Sequence, residues 1–367
     1  MKKKILTVVG TRPNIIKITQ FQKVVEKYPF LEHYLLHTGQ HYSPTMRDVF
    51  FDELSLSPPH FSFDTDKSTL ITQLADIMKG IEDAIRACKP EIVLVVGDVN
   101  STLMAALVAN KLNIKIGHVE SGLRSFDRTM PEEHNRVMTD WLSDIFFVTE
   151  KSGYENLLKE GKSPENIYFV GNTMIDTLLA YDSLIHSSKI LMKLNLKPKE
   201  FILITMHRPQ NVDTYEGLCK LVEMLEALGK IKKIVFPIHP RTLYNLKNYG
   251  LESKLAKSLN LILLEPIGYI DFQNLILNCS FVITDSGGIQ EETTFRQIPC
   301  ITLRPNTERP VTVELGTNVL CNYNTENILM LVNDIENGNF KKGEIPPLWD
   351  GKSTERIFLI LSKMLMD

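Results

Sequence analysis

Short apolar runs alternate with longer helical patterns along the first half of the chain, which predicts a parallel sheet with crossover helices. The runs Ile92–Val96 and Ile145–Val148 are apolar throughout, as in strands that are covered on both faces. The predicted strands are 4–10, 33–39, 92–98, 114–120, 145–149 and 167–171, and the predicted helices lie near 14–28, 68–88, 101–111, 131–142 and 151–160.

The alternation weakens near 172–200 and then starts again. Residues Leu178–Lys193 predict one helix, and the segment LNLKPKE that follows is typical of a linker. The second series predicts strands at 201–206, 233–238, 260–264, 281–285 and 299–303 and helices at 214–229, 270–279 and 287–296. Two consecutive doubly wound halves predict an α/β fold with two domains that face a cleft. A last helix, Ser353–Met366, can pack back on the first domain.

Composition excludes several classes of partner. The formal net charge of -3 leaves no broad basic field for nucleic acid or an anionic membrane. No apolar stretch approaches the ~20 residues that a membrane span needs. The five cysteines are scattered and none forms a CxxC pair, which favours reduced thiols in a cytoplasmic protein. Without zinc-like spacing of ligands, no metal site is predicted.

Three acidic residues form the predicted chemical centre. Asp98 lies just past the apolar run Ile92–Val96, and His118 and Glu120 lie just past the run Ile114–Ile116. Glu132 lies on a helix that Pro131 is expected to open, because proline is favoured at the first helical position. Carboxylates at the carboxyl ends of neighbouring parallel strands point into one crevice, where open α/β sheets bind their ligands.

Each carboxylate also has an ordinary structural interpretation. Asp98 can cap the next helix. Glu120 can pair with Arg124 or Arg136. Glu132 lies near a helix N-terminus, where carboxylates are favoured in any case. The three together favour catalysis, because like charges placed close together raise one another's pKa and allow one site to hold both an acid and a base.

A glycine turn after the first strand is a candidate anion site. The segment Gly10–Lys17 reads GTRPNIIK and leads into a helix whose N-terminus offers free N–H groups and a positive dipole end. Arg12 and Lys17 add formal charge. The segment has no Walker or GxGxxG signature, so an ordinary strand-to-helix turn with solvated Arg and Lys is the alternative.

A second turn, Asp285–Glu292, reads DSGGIQEE and carries a stronger anion signal. Gly287 and Gly288 after Ser286 let backbone amides approach a ligand closely, which a simple helix cap does not require. Glu292, on the helical face of Gly288, can accept hydrogen bonds from ribose hydroxyls. The alternative is an ordinary serine N-cap.

Loops of the second half add possible donors. His207 and His239 each follow an apolar strand, and either can donate to a phosphate or sugar oxygen. His207 is preferred because Arg208 lies beside it. Arg309 can close the phosphate site from another side, or it can form a surface salt bridge of little energetic value.

Eight motifs together make the chain resemble the non-hydrolysing UDP-N-acetylglucosamine 2-epimerases. The motifs are GTRPNIIK at 10–17, HTGQHY at 37–42, GDVNST at 97–102, HVESGLR at 118–124, PEEHNR at 131–136, HRPQN at 207–211, SGGIQEE at 286–292 and TERP at 307–310. The resemblance implies two Rossmann-like domains of the GT-B type, 1–172 plus 353–367 and 173–352, with the C-terminal helix crossing back to the first.

The resemblance also implies roles for individual residues. Asp98, Glu120 and Glu132 match the acid/base carboxylates of the family, and His207 matches a histidine near the sugar and phosphate. Residues that match its nucleotide and substrate contacts are Arg12, Lys17, Arg136, Phe272, Ser286, Gly287, Gly288, Glu292 and Arg309. The family implies a UDP-sugar substrate, no cofactor and a homodimer.

Several positions depart from the commonest family pattern. Asn14, Val99 and Ser121 stand where Glu, Thr and Ala are usual. Gln40 matches a second site through which substrate activates some bacterial members, but residues 67–69 read KST where an Arg-Gln pair is expected, so that site is only partly present. The departures leave room for a modified sugar.

These features predict epimerisation at C2 of UDP-GlcNAc by elimination and re-addition of UDP. One alternative is a 2-epimerase of a related substrate such as UDP-2,3-diacetamido-glucuronic acid. A GT-B glycosyltransferase would need an acceptor, and a hydrolysing epimerase would release free sugar. A sugar-nucleotide sensor would show no turnover.

Overall fold

The computed structural model describes residues 2–40, 51–255 and 260–366. The chain divides into two compact units: unit 1 is Met1–Ala180 with Pro347–Asp367, and unit 2 is Tyr181–Pro346. The chain therefore leaves unit 1 after residue 180 and returns at 347, whereas the domain boundaries expected from the sequence are 172 and 353.

Unit 1 contains a parallel sheet of seven described strands in the order β3-β2-β1-β4-β5-β6-β7. Its strands are β1 (Lys3–Val9), β2 (Leu31–His37), β3 (Phe61–Ser62), β4 (Ile92–Val96), β5 (Lys115–Val119), β6 (Ile145–Val148) and β7 (Ile167–Phe169). The strand order reverses between β1 and β4. Such a switch point is where open α/β sheets bind ligands, at the carboxyl ends of the strands.

Unit 2 repeats this topology with six described parallel strands in the order β10-β9-β8-β11-β12-β13. Its strands are β8 (Phe201–Thr205), β9 (Lys233–Pro237), β10 (Leu261–Leu264), β11 (Phe281–Thr284), β12 (Cys300–Thr302) and β13 (Asn318–Leu320). The switch point lies between β8 and β11. Each unit is thus a doubly wound α/β domain, and the predicted fold class is confirmed.

The helices fill the crossovers between strands. Those described are α1 (Arg12–Ile18), α2 (Phe21–Val25), α3 (Leu70–Cys88), α4 (Asn100–Lys111), α5 (Pro131–Leu142), α6 (Lys151–Lys159), α7 (Thr173–Ala180), α8 (Asp182–Ser187), α9 (Ile190–Lys193), α10 (Pro209–Val212), α11 (Tyr215–Gly229), α12 (Pro240–Asn248), α13 (Glu252–Leu255), α14 (Tyr269–Asn278), α15 (Gly287–Arg296), α16 (Pro310–Glu314), α17 (Thr325–Glu336) and α18 (Ser353–Met366). The sheets are covered on both sides, and the central strand β4 is buried at every position.

The C-terminal helix α18 returns to unit 1, as expected. Asp176 of α7 accepts hydrogen bonds from the backbone N–H groups of Ser353, at 3.1 Å, and Thr354, at 2.6 Å, so it satisfies two free donors at the start of α18. Phe358 packs edge-on against Phe21 of α2, with ring centroids 5.4 Å apart.

Two helix predictions were wrong because tertiary hydrogen bonds interrupt the local pattern. The helix predicted at 14–28 is split into α1 and α2, since the Thr177 hydroxyl donates to the carbonyl of Ile16 in the last turn of α1. The single helix predicted at Leu178–Lys193 is three helices, α7, α8 and α9. Between α8 and α9 the Ser188 hydroxyl donates to Asp271, at 2.5 Å, and competes with helix formation.

The sequence analysis missed the short strands β3 and β13, together with helices such as α12 and α17. All five cysteines are free thiols. None of the described helices has both the length and the apolar character needed to cross a membrane. The end of the HTGQHY motif, His41 and Tyr42, lies outside the described residues.

Candidate active site

Asp98 lies in the turn between β4 and α4, at the switch point of unit 1. Its Oδ2 is 3.4 Å from Nη1 of Arg136, and its carbonyl oxygen accepts a 2.9 Å hydrogen bond from the Asn135 side chain. The Asp98 side chain is 25% exposed and that of Arg136 only 2%. Helix α4 begins after Val99 without a side-chain cap, so the interpretation of Asp98 as a helix cap is wrong.

Glu120 follows β5 in a left-handed backbone conformation, with φ of 69°. Non-glycine residues pay a steric cost at positive φ, and such strain concentrates at functional sites. Its buried Oε2 forms an ion pair with Nζ of Lys17, so the predicted pairing with Arg124 or Arg136 is wrong. Oε1 is also buried and has no hydrogen-bond partner among the described residues, which leaves one acceptor for a ligand.

Helix α5 brings Glu132 towards the same edge of the sheet. Residues three and four apart share a helix face, so Glu132 lies on the face of Asn135 and Arg136. Both of these contact Asp98. The neighbouring Glu133 has a different function, because it accepts hydrogen bonds from the preceding loop at 125–126.

The first glycine turn supports this edge from the other side of the switch point. A Cβ on Gly10 would lie 2.1 Å from Oγ of Ser101, so only glycine lets the turn approach α4 this closely. Arg12 is half-buried at the start of α1. Lys17, one turn further, is buried and directed at Glu120 rather than solvated.

Asn14 stabilises the same turn. Its Oδ1 accepts a 2.9 Å hydrogen bond from the Thr11 hydroxyl, and its Nδ2 donates to the Val96 carbonyl at 2.9 Å. The Asn14 side chain therefore connects the turn after β1 to the end of β4. This is one of the positions at which the chain departs from the commonest pattern of the family it resembles.

His118 lies within β5, which extends beyond the apolar run Ile114–Ile116 and falls inside the predicted strand 114–120. The side chain is completely buried. Its Nδ1 is 2.6 Å from Oδ1 of Asp140, and its Nε2 is 2.9 Å from the carbonyl oxygen of Gly97. Nothing in the sequence motif indicated Asp140, which lies twenty-two residues further along on α5.

Asp285 organises the switch point of unit 2. The buried carboxylate accepts hydrogen bonds from the backbone N–H of His207, at 3.1 Å, and of Arg208, at 2.9 Å, and from the Asn211 side chain, at 3.1 Å. Burial alone would raise the pKa of Asp285, but His207 and these hydrogen bonds outweigh burial and lower the pKa. The His207 side chain stays 39% exposed, so a ligand can reach it.

The turn after β11 places a buried cation on a helix start. A Cβ on Gly287 would lie 2.7 Å from Nη1 of Arg309 and 2.6 Å from a carboxylate oxygen of Glu308. Arg309 also lies 2.8 Å from Glu291, and all these side chains are buried, so the surface salt bridge interpretation is wrong. Ser286 makes no side-chain cap, which excludes the ordinary serine N-cap.

The remaining candidates of unit 2 lie on helices beside this turn. Gly288 is half-buried and Glu292 buried on α15, and Phe272 is half-buried on α14, against the apolar core. The structure brings His239 within 5.7 Å of His207, measured between ring centroids. The two histidines follow β8 and β9, which are neighbouring strands, so both lie at the same edge of the sheet. This strand order is the signal from which their proximity could have been predicted.

Comparison with known proteins identifies the family. The sequence profile described as UDP-N-acetylglucosamine 2-epimerase matches residues 23–362. The chain belongs to this family. The UDP-N-acetylglucosamine 2-epimerase of Methanococcus maripaludis is 41% identical over 364 residues, which is 98% of this chain and 98% of that relative.

Two further members show the range of this epimerase family. The crystal structure of the Methanocaldococcus jannaschii UDP-GlcNAc 2-epimerase in complex with UDP-GlcNAc and UDP has a TM-score of 0.90, at 40% identity, over 98% of this chain and 99% of that one. The UDP-2,3-diacetamido-2,3-dideoxy-D-glucuronate 2-epimerase of Pseudomonas aeruginosa is 37% identical over 321 residues, which is 86% of this chain and 88% of the relative. Relatives of this epimerase therefore carry names for two different UDP-sugars.

Proposed function

We propose that the protein interconverts UDP-GlcNAc and UDP-ManNAc by inverting C2 of the sugar, without a redox cofactor. Membership of the 2-epimerase family supports this reaction. The single observation that carries the mechanism is the acidic group at the switch point of unit 1. There Asp98 contacts buried Arg136, Glu120 contacts buried Lys17, and Glu132 shares a helix face with Arg136.

The chemistry explains why several carboxylates are needed. The proton on C2 is not adjacent to a carbonyl, so its direct removal is unfavourable. In the proposed reaction the C1–O bond breaks first, and its electron pair leaves with the UDP diphosphate. A carboxylate then removes the C2 proton, which gives 2-acetamidoglucal. A proton added on the opposite face, followed by return of the diphosphate oxygen to C1, completes the inversion without any other reactant.

The two transfers need one group for each face of C2, with one acting as base and the other as acid. Asp98 and Glu120 follow neighbouring strands, and Glu132 lies in the first turn of α5, so the three carboxyl groups come from three different parts of the fold. We assign the proton transfers to these three. Arg12, Lys17 and Arg136 supply positive charge at the same edge of the sheet.

The leaving diphosphate requires preorganised donors. We assign this role to unit 2, where Ser286 precedes α15, Gly287 and Gly288 are its first residues, and Arg309 lies against the helix start. The partly exposed His207 is the proposed donor to the diphosphate or the sugar. Glu292 is proposed to bind the ribose, and Phe272 to contact the uracil.

The proposal assigns one task to each domain. The N-terminal domain, with the returning C-terminal helix, supplies the acid/base carboxylates, and the C-terminal domain binds the nucleotide. We further propose that the enzyme acts in the cytoplasm, where nucleotide sugars are substrates for polysaccharide synthesis, and that it forms a homodimer. Size-exclusion chromatography with light scattering tests the oligomeric state.

Epimerisation in heavy water tests the mechanism. The protein is incubated with UDP-GlcNAc alone and the mixture is followed by NMR. The proposed reaction produces UDP-ManNAc with deuterium at C2, because the new C2 proton comes from a group that exchanges with solvent. Epimer without label at C2 would overturn the mechanism.

The same assay separates the alternative activities. Formation of UDP-ManNAc without an acceptor excludes a glycosyltransferase as the explanation, and free N-acetylmannosamine would indicate a hydrolysing epimerase. The similarity to the Pseudomonas aeruginosa relative favours UDP-2,3-diacetamido-glucuronic acid as the second candidate substrate. A higher kcat/KM for this sugar than for UDP-GlcNAc would make it the preferred assignment.

A further inference from the structure

His118 is a buried titratable group that the proposed chemistry does not use. It lies in β5, two residues before Glu120, and has no exposed surface. Each ring nitrogen faces an oxygen atom, Oδ1 of Asp140 at 2.6 Å and the carbonyl oxygen of Gly97 at 2.9 Å. The geometry of both contacts is that of good hydrogen bonds.

These partners determine the protonation state of the ring. A backbone carbonyl has no proton to give, so Nε2 must donate to Gly97. Asp140 also acts only as an acceptor. Its Oδ2 pairs with the Arg124 guanidinium at 2.7 Å and accepts a hydrogen bond from the N–H of Gly122, contacts that favour the ionised carboxylate independently of His118. Nδ1 must therefore donate as well, and a ring that donates from both nitrogens is an imidazolium.

A chain of alternating charges extends from the buried His118 ring, because a charge is buried stably only where an opposite charge accompanies it. Asp140 contacts both His118 and Nη2 of Arg124, the latter at 2.7 Å. Arg124 in turn pairs with Glu160, also at 2.7 Å, whose side chain is 35% exposed. Two positive and two negative groups thus alternate from the core to the surface, and Lys162 is the further cation near their outer end.

The chain of charges connects the two turns that carry the proposed catalytic carboxylates. His118 donates to the carbonyl of Gly97, the residue before Asp98, while the N–H of Gly97 donates to the Val119 carbonyl at 3.0 Å. The peptide groups on both sides of Gly97 are thereby fixed to β5.

Asp140 makes the corresponding contact after Glu120. Its Oδ2 accepts a 3.0 Å hydrogen bond from the N–H of Gly122, two residues beyond Glu120. Gly122 has φ of 77°, and a Cβ there would lie 2.2 Å from the Gly153 carbonyl oxygen, so this turn is closely constrained. One carboxylate therefore holds the turn after Glu120 directly and the turn before Asp98 through His118.

We infer that His118 is a positioning residue whose two ring nitrogens both donate hydrogen bonds, and that with Asp140 it fixes the turns of Asp98 and Glu120 relative to each other. Its catalytic consequence rests on the proposed epimerisation. Its charge state does not, and can be measured in a protein of any activity. The two parts of the inference are therefore tested separately.

NMR of the full-length protein, labelled with ¹⁵N in its histidine rings, tests the charge. His118 is assigned by the signal that disappears in His118→Gln. We expect both of its ring nitrogens to carry protons at neutral pH, because each faces a hydrogen-bond acceptor. A singly protonated His118 ring at this pH would overturn the inference.

The chain provides an internal contrast in His33. It is also buried, but its ring nitrogens face the Thr7 hydroxyl and the Gln22 side chain rather than a carboxylate. Burial lowers the pKa of His33 to about 3, so its ring is expected to be neutral in the same spectrum. In Asp140→Asn we expect His118 to become neutral. If it stays doubly protonated there, Asp140 does not hold the charge.

Kinetics test the positioning. In His118→Gln we expect kcat to fall roughly 100-fold, as for a catalytic group displaced by about an ångström. KM should stay within about threefold, because the lost interaction acts on the transition state. His33→Gln is the matched control for loss of a buried histidine and should retain kcat. A His118→Gln variant with kcat within about threefold of the unsubstituted enzyme would overturn the positioning role. If His118→Gln does not fold, the inference is tested by the NMR comparison between the unsubstituted protein and Asp140→Asn.

Discussion

The two sheets share one pattern of strand order, but the acidic side chains at their switch points have different surroundings. In unit 1 the residues after β4 and β5 are carboxylates, each in contact with a buried cation. In unit 2 the carboxylate after β11, Asp285, is buried and its hydrogen bonds hold the loop of His207 and Arg208. Topology thus determines where a ligand binds, and the side chains at the strand ends determine what is done to it.

Both units use a glycine to bring a cation against the backbone. A Cβ added to Gly97 would lie 3.2 Å from Nζ of Lys17, and one added to Gly287 would lie 2.7 Å from Nη1 of Arg309. In unit 1 the cation pairs with a carboxylate of the proposed catalytic group. In unit 2 it lies at the start of a helix, where unpaired N–H groups attract anions. A glycine that lets a cation approach the backbone is therefore proposed to serve proton transfer in unit 1 and diphosphate binding in unit 2.

The strongest test of this division is Asp98→Asn. We expect turnover to fall by about 10³-fold or more, because the amide cannot transfer the proton. UDP affinity, assigned to unit 2, should stay within roughly tenfold, or about 1.4 kcal/mol, in titration calorimetry. Asp83→Asn, on the exposed face of α3, is the control. An active Asp98→Asn enzyme would remove this residue from the mechanism.

Adjacent glutamates on α5 offer the next comparison. Glu132→Gln should lower kcat by about 10²-fold with little change in stability, since its role is proposed to be proton transfer. Glu133→Gln should instead cost about 1–3 kcal/mol in urea unfolding, because Glu133 holds the loop at 125–126. Equal effects of the two substitutions on kcat would contradict the assignment.

Asp285 should make unit 2 sensitive to acid. Because folding lowers its pKa, its contribution to stability is complete above the unfolded value of about 3.9 and is lost as pH falls through the lower, folded value. We expect Asp285→Asn to cost about 2 kcal/mol at neutral pH. The difference from the unsubstituted protein should shrink below about pH 4 in urea unfolding. A difference independent of pH would contradict this account.

The smallest expected effect is that of Gly287→Ala. The new methyl group would displace Arg309 or Glu308, so we expect the Kd for UDP to rise about tenfold, with Asp98-dependent chemistry otherwise intact. Gly250→Ala, a glycine at positive φ with open space around it, is the control for a destabilising alanine. If both variants bind UDP equally, the turn at Gly287 does not contact the diphosphate.

Much of the architecture could be predicted from the chain alone. Apolar runs such as Ile92–Val96 identify buried parallel strands, and the glycine turns that follow strands identify the helix starts. The family motifs are local segments, so the order of residues is sufficient to recognise them. These features depend on interactions within one element, which a sequence pattern records directly.

Only the tertiary structure decided which charged groups meet. The pairing of Lys17 with Glu120, 103 residues apart, and of His118 with Asp140 follows from how α1 and α5 pack beside the sheet. The break at Ser188 likewise depends on a distant partner, Asp271. The sequence by itself determined the elements, their order and the residues available for chemistry. Which of these residues became ion pairs depended on the packing of distant segments, because a charge can be buried only where an opposite charge is brought to it.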